Sequence, residues 1–508
     1  MANPIKKLAG ETAIYGLSSI LARMINFFFV PIYSRILSQD GYGAYSELIS
    51  YIAVLQVIFT LGLETGCFKF AVKEREKGKD PSAPFSNALS IVTTISLLAF
   101  IIITLFAPQI ANIMGYQGYS NMIIFIGGIL ALDSITAILF ARLRYYHKAF
   151  KFAIFKSIKI LSEFGFNLLL FFAVPPYLAS HSNSVLLNII PAQIDFSYIT
   201  FAIFLSCIIC TLLFIPDFFR VKFSISPKLL REMLIYSLPI MIAGLPGTLN
   251  ESLDRLLFRF FAPEGLSWRA ELGVYQAAAK LAVIMNLFIQ MFRYAAEPFF
   301  FSREKEKGSK ELYAKVMEYF IAFCMLIFLG VTLFIDSIGL ILGRDFRGAL
   351  GTVPYMLISY MLLGMIFNVS MWYKLSGKTN YAIYITSSGL MVTAIVNIIL
   401  MPYLSYWASI IAHILSCLTM LIYSIWLGNK YYPIPYKWKR ICTYVFLALA
   451  LYAISVGALH LLNYSLGSTM SDTLFLIIKL IINTILILIY VIFCIKWGKL
   501  INLKSVCK

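Results

Sequence analysis

Apolar runs of about twenty residues recur from one end of this chain to the other, and each can span a hydrocarbon core of about 30 Å. Fourteen spans follow from them: 12–36, 44–63, 86–107, 121–141, 153–174, 195–215, 232–258, 274–296, 315–341, 351–372, 381–401, 406–427, 441–462 and 473–495. A soluble chain of 508 residues would form several domains, but 60% hydrophobic and 13% charged residues override that reading. The expected fold class is an all-α polytopic membrane protein. Lys6 and Lys7 precede a long first span with several polar residues, so this segment is expected to be retained and not cleaved.

The net charge of +18 would suggest a nucleic-acid partner in a soluble chain. Here the position of the charges excludes it. The N-terminus, every second loop and the C-terminus hold 32 of the 42 Lys and Arg, counting basic residues at the starts of the spans that leave those loops, among them Lys156 and Lys159. The other side holds five, counting Arg35 at the end of the first span: Arg35, Arg259, Arg269, Arg344 and Arg347. Cytoplasmic loops carry such an excess, so both termini are expected in the cytoplasm. The inner run Lys73–Lys79 alternates in sign and reads as a solvated loop. No outer loop is long enough for a catalytic domain, and no phosphate loop, zinc motif or catalytic triad is present. Cys207 and Cys210 form a C-x-x-C inside an apolar run, where packing is the expected role.

The seventh span is the most unusual. The stretch Leu229–Phe261, LLREMLIYSLPIMIAGLPGTLNESLDRLLFRFF, carries Pro239, Gly244, Pro246 and Gly247, then Asn250, Glu251, Asp254 and Arg255. Charges inside a span cost about 2.5–3.5 kcal/mol each on insertion scales and usually face a bundle interior. A broken helix lining a transport pathway is the expectation; a kink neutralised by Glu251 and Arg255 at i,i+4 is the alternative.

Two short matches tie the halves together. Ile14-Tyr15-Gly16-Leu17 answers Ile235-Tyr236-Ser237-Leu238, and Gly43-Ala44-Tyr45 answers Gly273-Val274-Tyr275. Both pairs open spans that run in the same direction, which implies parallel repeats about an axis along the membrane normal. The expected domains are a six-helix lobe over 1–215, a second over 216–427, and two added helices with a tail over 428–508.

The pattern IYGLSSILARMINFFFVPIYSRILSQDGYGAYSEL, with GLETGCFKFA and NESLDRLL, resembles the bacterial polysaccharide transporter family of flippases. That family shares a superfamily with multidrug and toxin extrusion transporters and lipid II flippases. The resemblance implies two lobes around a cavity opening alternately to either side. Its usual cargo is an oligosaccharide repeat unit on undecaprenyl pyrophosphate. It also implies a bacterial cytoplasmic membrane location, lipid contacts, and pathway polymerases and glycosyltransferases as partners.

Within this frame Arg23 is mid-span and shares a helical face with Asn26, so both are expected to line the cavity. Arg255, Lys280 and Arg293 are expected to join them in receiving the pyrophosphate, because attraction to fixed cations strengthens where the dielectric falls. Asn250 and Asp254, with Thr393 and Asn397 at similar depth in the eleventh span, are the expected coupling-ion ligands for Na⁺ or H⁺. No other cofactor is expected. Asp133 and Glu163 are read as partners of Arg23 or as proton carriers, Glu47 and Glu64 as interfacial, and Lys479 as a lysine snorkelling to the surface. The expected function is a flippase. A drug or solute antiporter of the same fold is the runner-up, and a membrane polymerase or glycosyltransferase is disfavoured by the short loops.

Overall fold

The computed structural model describes residues 21, 24–25, 27–181, 184–221, 225–303, 306–466 and 471–498. Every regular element among them is helical, and thirteen helices are long and apolar enough to cross a membrane. They match the second to fourteenth expected spans. The first half of the first span lies largely outside the described residues, which retain its end as α1 (Val30–Ile36).

By packing, the chain forms two compact units, 1–273 with 397–405, and 274–396 with 406–508. This boundary follows contacts and not sequence likeness, and it places the seventh span with the first unit.

In the first unit, Ser38 caps α2 (Gln39–Phe59) by accepting from the Gly41 amide at 3.1 Å. The second span then bends at Leu61 and Gly62, both left-handed with φ of 53° and 65°, and continues as α3 (Leu63–Glu76). The run Lys73–Lys79, expected as a loop, is thus partly the end of a helix, and Lys73 pairs with Glu232 at 2.9 Å. Next come α4 (Ala83–Leu105), the short α5 (Ala107–Ile113), α6 (Ser120–Tyr145) and α7 (Ala149–Leu168). A π turn at Leu169–Ala173 carries α7 into α8 (Val174–Ser180), and α9 (Ser197–Phe219) follows. Helix α6 is the centre of the unit. Leu63, Phe70, Phe85, Phe140, Phe214 and Met233 pack at its basic end, and Leu48, Tyr116, Met122, Ile126 and Phe196 at the other.

The expected break in the seventh span does not occur. Helix α10 (Pro227–Phe261) runs on through Pro239 and Pro246. A proline forfeits one backbone hydrogen bond and crowds the preceding turn, but neighbouring helices can hold such a segment together. The neighbour here is the bend of the second span. A Cβ on Gly62 would lie 2.5 Å from the Ser237 carbonyl oxygen, so the backbones meet where α10 is weakest.

The second unit comprises most of α11 (Trp268–Ser302), then α12 (Ser309–Thr332), α13 (Ile335–Gly339), α14 (Val353–Val369), α15 (Met371–Leu375), most of α16 (Tyr381–Leu404), α17 (Tyr406–Tyr431), α18 (Trp438–Leu466) and α19 (Asp472–Gly498). The last two helices are fastened to α12 by polar groups. Fully buried Asn483 donates to the Leu333 carbonyl and accepts from Ser455 Oγ at 2.7 Å, and Tyr490 Oη donates to the Ala322 carbonyl at 3.2 Å. Lys479 does not simply snorkel, since Asp336 pairs with it. Asn483→Leu is expected to weaken this docking by about 1–2 kcal/mol, the range of hydrogen bonds between membrane helices. Labelling of buried Cys494 by a thiol reagent should then accelerate roughly five- to thirtyfold, by the same arithmetic. Peptide mass spectrometry would read it, and an unchanged rate would show that Asn483 is dispensable.

Candidate functional site

Helix α7 carries polar groups at a spacing that an apolar run does not need. Lys156, Lys159, Glu163 and Asn167 recur every three or four residues and so lie along one face. Lys159 Nζ pairs with Asp133 Oδ1 of α6 at 2.5 Å, and Cys207 Sγ of α9 approaches the same oxygen at 3.3 Å. Asn167 Oδ1 accepts from Tyr33 Oη of α1 at 2.7 Å, while its Nδ2 donates to the Glu163 carbonyl at 2.8 Å. The Lys156 ammonium stands 5.5 Å from the centroid of the Phe140 ring.

Depth gives this stripe its significance. Lys159 is ten residues into α7 and Asp133 twelve from the end of α6, about 15 and 18 Å at 1.5 Å per residue. Both fall near the middle of a hydrocarbon layer of about 30 Å. The pair is incompletely buried, with 14% and 26% of the side chains exposed. A membrane-depth ion pair that keeps some exposure fits the wall of a polar passage.

Sequence alone offers Asp133 and Glu163 as partners of Arg23 or as proton carriers; in the structure Asp133 binds Lys159. Lys156 and Lys159, which in sequence continue the basic loop before them, both lie within α7. The signal was present in their phase with Glu163 and Asn167. Cys207 and Cys210 are buried free thiols, as packing requires.

The residues singled out from sequence fall in several places. Arg23 and Asn26 lie outside the described residues. Arg255 Nη1 donates to Ser50 Oγ of α2 at 3.4 Å. Asn250 and Asp254 are buried one turn apart on α10, and Thr393 and Asn397 are each buried on α16, with Thr393 in the second unit and the other three in the first. In the second unit Lys280 is half-buried, and the Arg293 guanidinium covers the Phe367 ring at 5.2 Å. Glu297, one turn beyond Arg293, pairs with Lys374 at 2.6 Å.

At the end of the first unit away from the basic loops, a tight polar knot joins distant segments. A Cβ on Gly43 would meet the Arg269 carbonyl oxygen at 1.9 Å, and one on Gly273 would meet that of Gln39 at 2.1 Å. The contact is reciprocal: each glycine faces the residue four positions before the other. Two-fold relations produce such contacts, and these are the glycines of the repeated Gly-x-Tyr. Arg269 also donates to the Gly115 carbonyl at 2.9 Å and stacks over Tyr116 at 4.6 Å. Tyr116 donates to Glu47, which is fully buried and not interfacial as expected. Burial and the neighbouring carboxylate hold the Tyr116 phenol above its ordinary range, so it keeps its proton. Glu64, the other acid of this span, is partly exposed and pairs with Arg144 at 3.1 Å.

Residues 8–304 match the family described as polysaccharide biosynthesis protein, more than half of the chain. The chain belongs to that family. Among solved structures, this family member is similar to a lipid II flippase MurJ in an inward closed conformation, at 12% identity and TM-score 0.70, over 96% of this chain and 100% of that one. It is also similar to an outward-facing multidrug resistance MATE family transporter of the MOP superfamily, at 12% identity and TM-score 0.53, over 84% and 95%. No curated protein matches it in sequence. Family and fold together mark a multi-pass membrane protein of polysaccharide biosynthesis, with the fold seen in these two solved structures.

Proposed function

We propose that this protein is a flippase carrying undecaprenyl-pyrophosphate-linked oligosaccharide repeat units from the inner to the outer leaflet of a bacterial cytoplasmic membrane, for surface polysaccharide synthesis. The observation that carries the reading is the mixed-sign stripe of Lys156, Lys159, Asp133, Glu163 and Asn167 at mid-membrane depth in a chain of this family. Sugar hydroxyls need donors and acceptors side by side, and this stripe supplies both. Lys156 and Arg255 in the first unit, and Lys280 and Arg293 in the second, are the fixed cations proposed to serve the pyrophosphate. Asp254, with Asn250 one turn earlier, is proposed to carry the coupling Na⁺ or H⁺. Likeness to the lipid flippase structure takes in 96% of the chain, against 84% for the multidrug transporter, which supports lipid-linked cargo over a drug antiporter.

The test is reconstitution in proteoliposomes with a fluorescent lipid-linked oligosaccharide. The intact protein is expected to flip it, and Lys156→Gln or Arg255→Gln to slow the step at least tenfold at unchanged protein level. No flipping by the intact protein, together with efflux of cationic drugs, would favour the antiporter.

A further inference from the structure

An open groove lies at the basic end of the first unit, away from the stripe on α7. It holds about 810 Å³ between the end of α3 (Phe68, Val72, Arg75, Glu76), Pro81, and the end of α6 with its following turn (Arg144, Tyr145, Tyr146, His147). This volume is within the range of small-molecule sites. The aromatic rings form one wall: Phe68 meets Tyr145 edge-on at 6.2 Å, and Tyr145 meets Tyr146 edge-on at 5.1 Å. Arg144 is fixed from two sides, by Glu64 at 3.1 Å and by the Phe68 ring at 5.5 Å. His147 holds the turn in the left-handed region at φ 53°, a conformation that non-glycine residues avoid without reason.

Two polar atoms here are left over. Tyr145 Oη and Arg144 Nε are buried with no hydrogen-bond partner among the described residues. Buried donors are normally satisfied, so each exception asks for an explanation. The charges also argue for a particular ligand. Positive loops beside a membrane need neither packed rings nor buried donors. Here Glu76 accompanies Arg75 in the lining, and Arg144 is already paired with Glu64 behind it, so the groove is of mixed sign and not a simple anion trap. Aromatic faces for C–H groups, with alternating donors and acceptors for hydroxyls, suit a sugar ring.

We propose that this groove is a carbohydrate-binding subsite that holds a sugar of the cargo at the basic end of the protein, apart from the polar stripe on α7. The proposal rests on the flippase reading for the identity of that sugar. Tyr145 Oη and Arg144 Nε donate to its hydroxyls, and Phe68 and Tyr146 flank its apolar face.

The test compares two probes on the purified full-length protein in detergent: the lipid-linked oligosaccharide extracted from the producing cells, and bare undecaprenyl pyrophosphate. Tyr145→Phe keeps the ring and removes the hydroxyl. It is expected to weaken binding of the glycan-bearing lipid at least fivefold and to leave bare-carrier binding unchanged. Phe68→Leu should do the same through the lost ring face. Unaltered thermal unfolding of both variants excludes misfolding. Equal weakening for both probes would make the groove a phosphate or lipid-headgroup site, and no weakening for either would leave it without a ligand; both results overturn the proposal. Glycan-selective weakening in a protein that fails to flip would keep the subsite and discard the flippase reading.

Discussion

Replacing Asp133 with alanine is expected to destabilise the protein by about 3–5 kcal/mol, the cost of stranding a buried charge when one partner is removed. Lys159 is that charge, with only 14% of its side chain exposed. Thermal unfolding and folded yield would report the loss. A second variant separates structure from transport. Asp133→Leu with Lys159→Met removes both charges, and well-packed apolar replacements of buried ion pairs are often neutral or stabilising. This double variant should therefore fold close to normally, yet move cargo at least tenfold more slowly in proteoliposomes. Exchanging the two residues, Asp133→Lys with Lys159→Asp, should recover part of both properties. Normal transport by the apolar double variant would reduce the pair to a structural clasp, and the proposed passage would lose its central element.

Gly43→Val and Gly273→Val are expected to force the knot at the opposite end apart. Cβ atoms built there lie 1.9 and 2.1 Å from the carbonyl oxygens of Arg269 and Gln39, distances that real Cβ atoms do not reach. The obstruction is backbone, which cannot swing aside as a flexible side chain would. Overpacking of this kind costs about 1–3 kcal/mol, which shifts a two-state equilibrium by roughly 5- to 150-fold. A cysteine replacing Ala44, which is buried beside this contact, should then react with a membrane-impermeant maleimide much faster than in the parent chain. Gly244→Ala is the control, since nothing lies within 4 Å of its Cβ position. Unchanged labelling and transport in the Gly43 and Gly273 variants would show that the close approach has no part in the cycle.

The spans were legible because crossing a membrane is a local demand. About twenty apolar residues suffice, and thirteen of the expected fourteen can be compared with helices that match. The likeness of Gly43-Ala44-Tyr45 to Gly273-Val274-Tyr275 was legible too, although the sequence held no hint that each of these glycines packs against the turn before the other. The seventh span misled. Pro239 and Pro246 predict a break by local chemistry, but α10 is supported against the bend at Gly62, a contact between residues about 175 positions apart.

Charged side chains were the least legible. Lys156 and Lys159 follow a basic loop and read as part of it; Asp133 reads as an isolated acid. Their meeting depends on how α6 and α7 are rotated, and hydropathy does not encode rotation. Glu47 likewise sits near the end of a span, where an interfacial carboxylate is the simplest expectation, until Tyr116 from a distant turn closes over it.

By itself the sequence determined that the chain is a bundle of membrane helices, which loops carry the basic charge, and which family it resembles. Each of these follows from transfer of single segments between water and lipid, or from residues adjacent in the chain. Only the tertiary structure decided that Asp133 belongs to Lys159, that α10 stays whole, and that Phe68, Arg144 and Tyr145 line one groove. A charge or a donor removed from water must be met by whichever group the packing brings within about 3 Å, and that group is chosen by the fold and not by its neighbours in sequence.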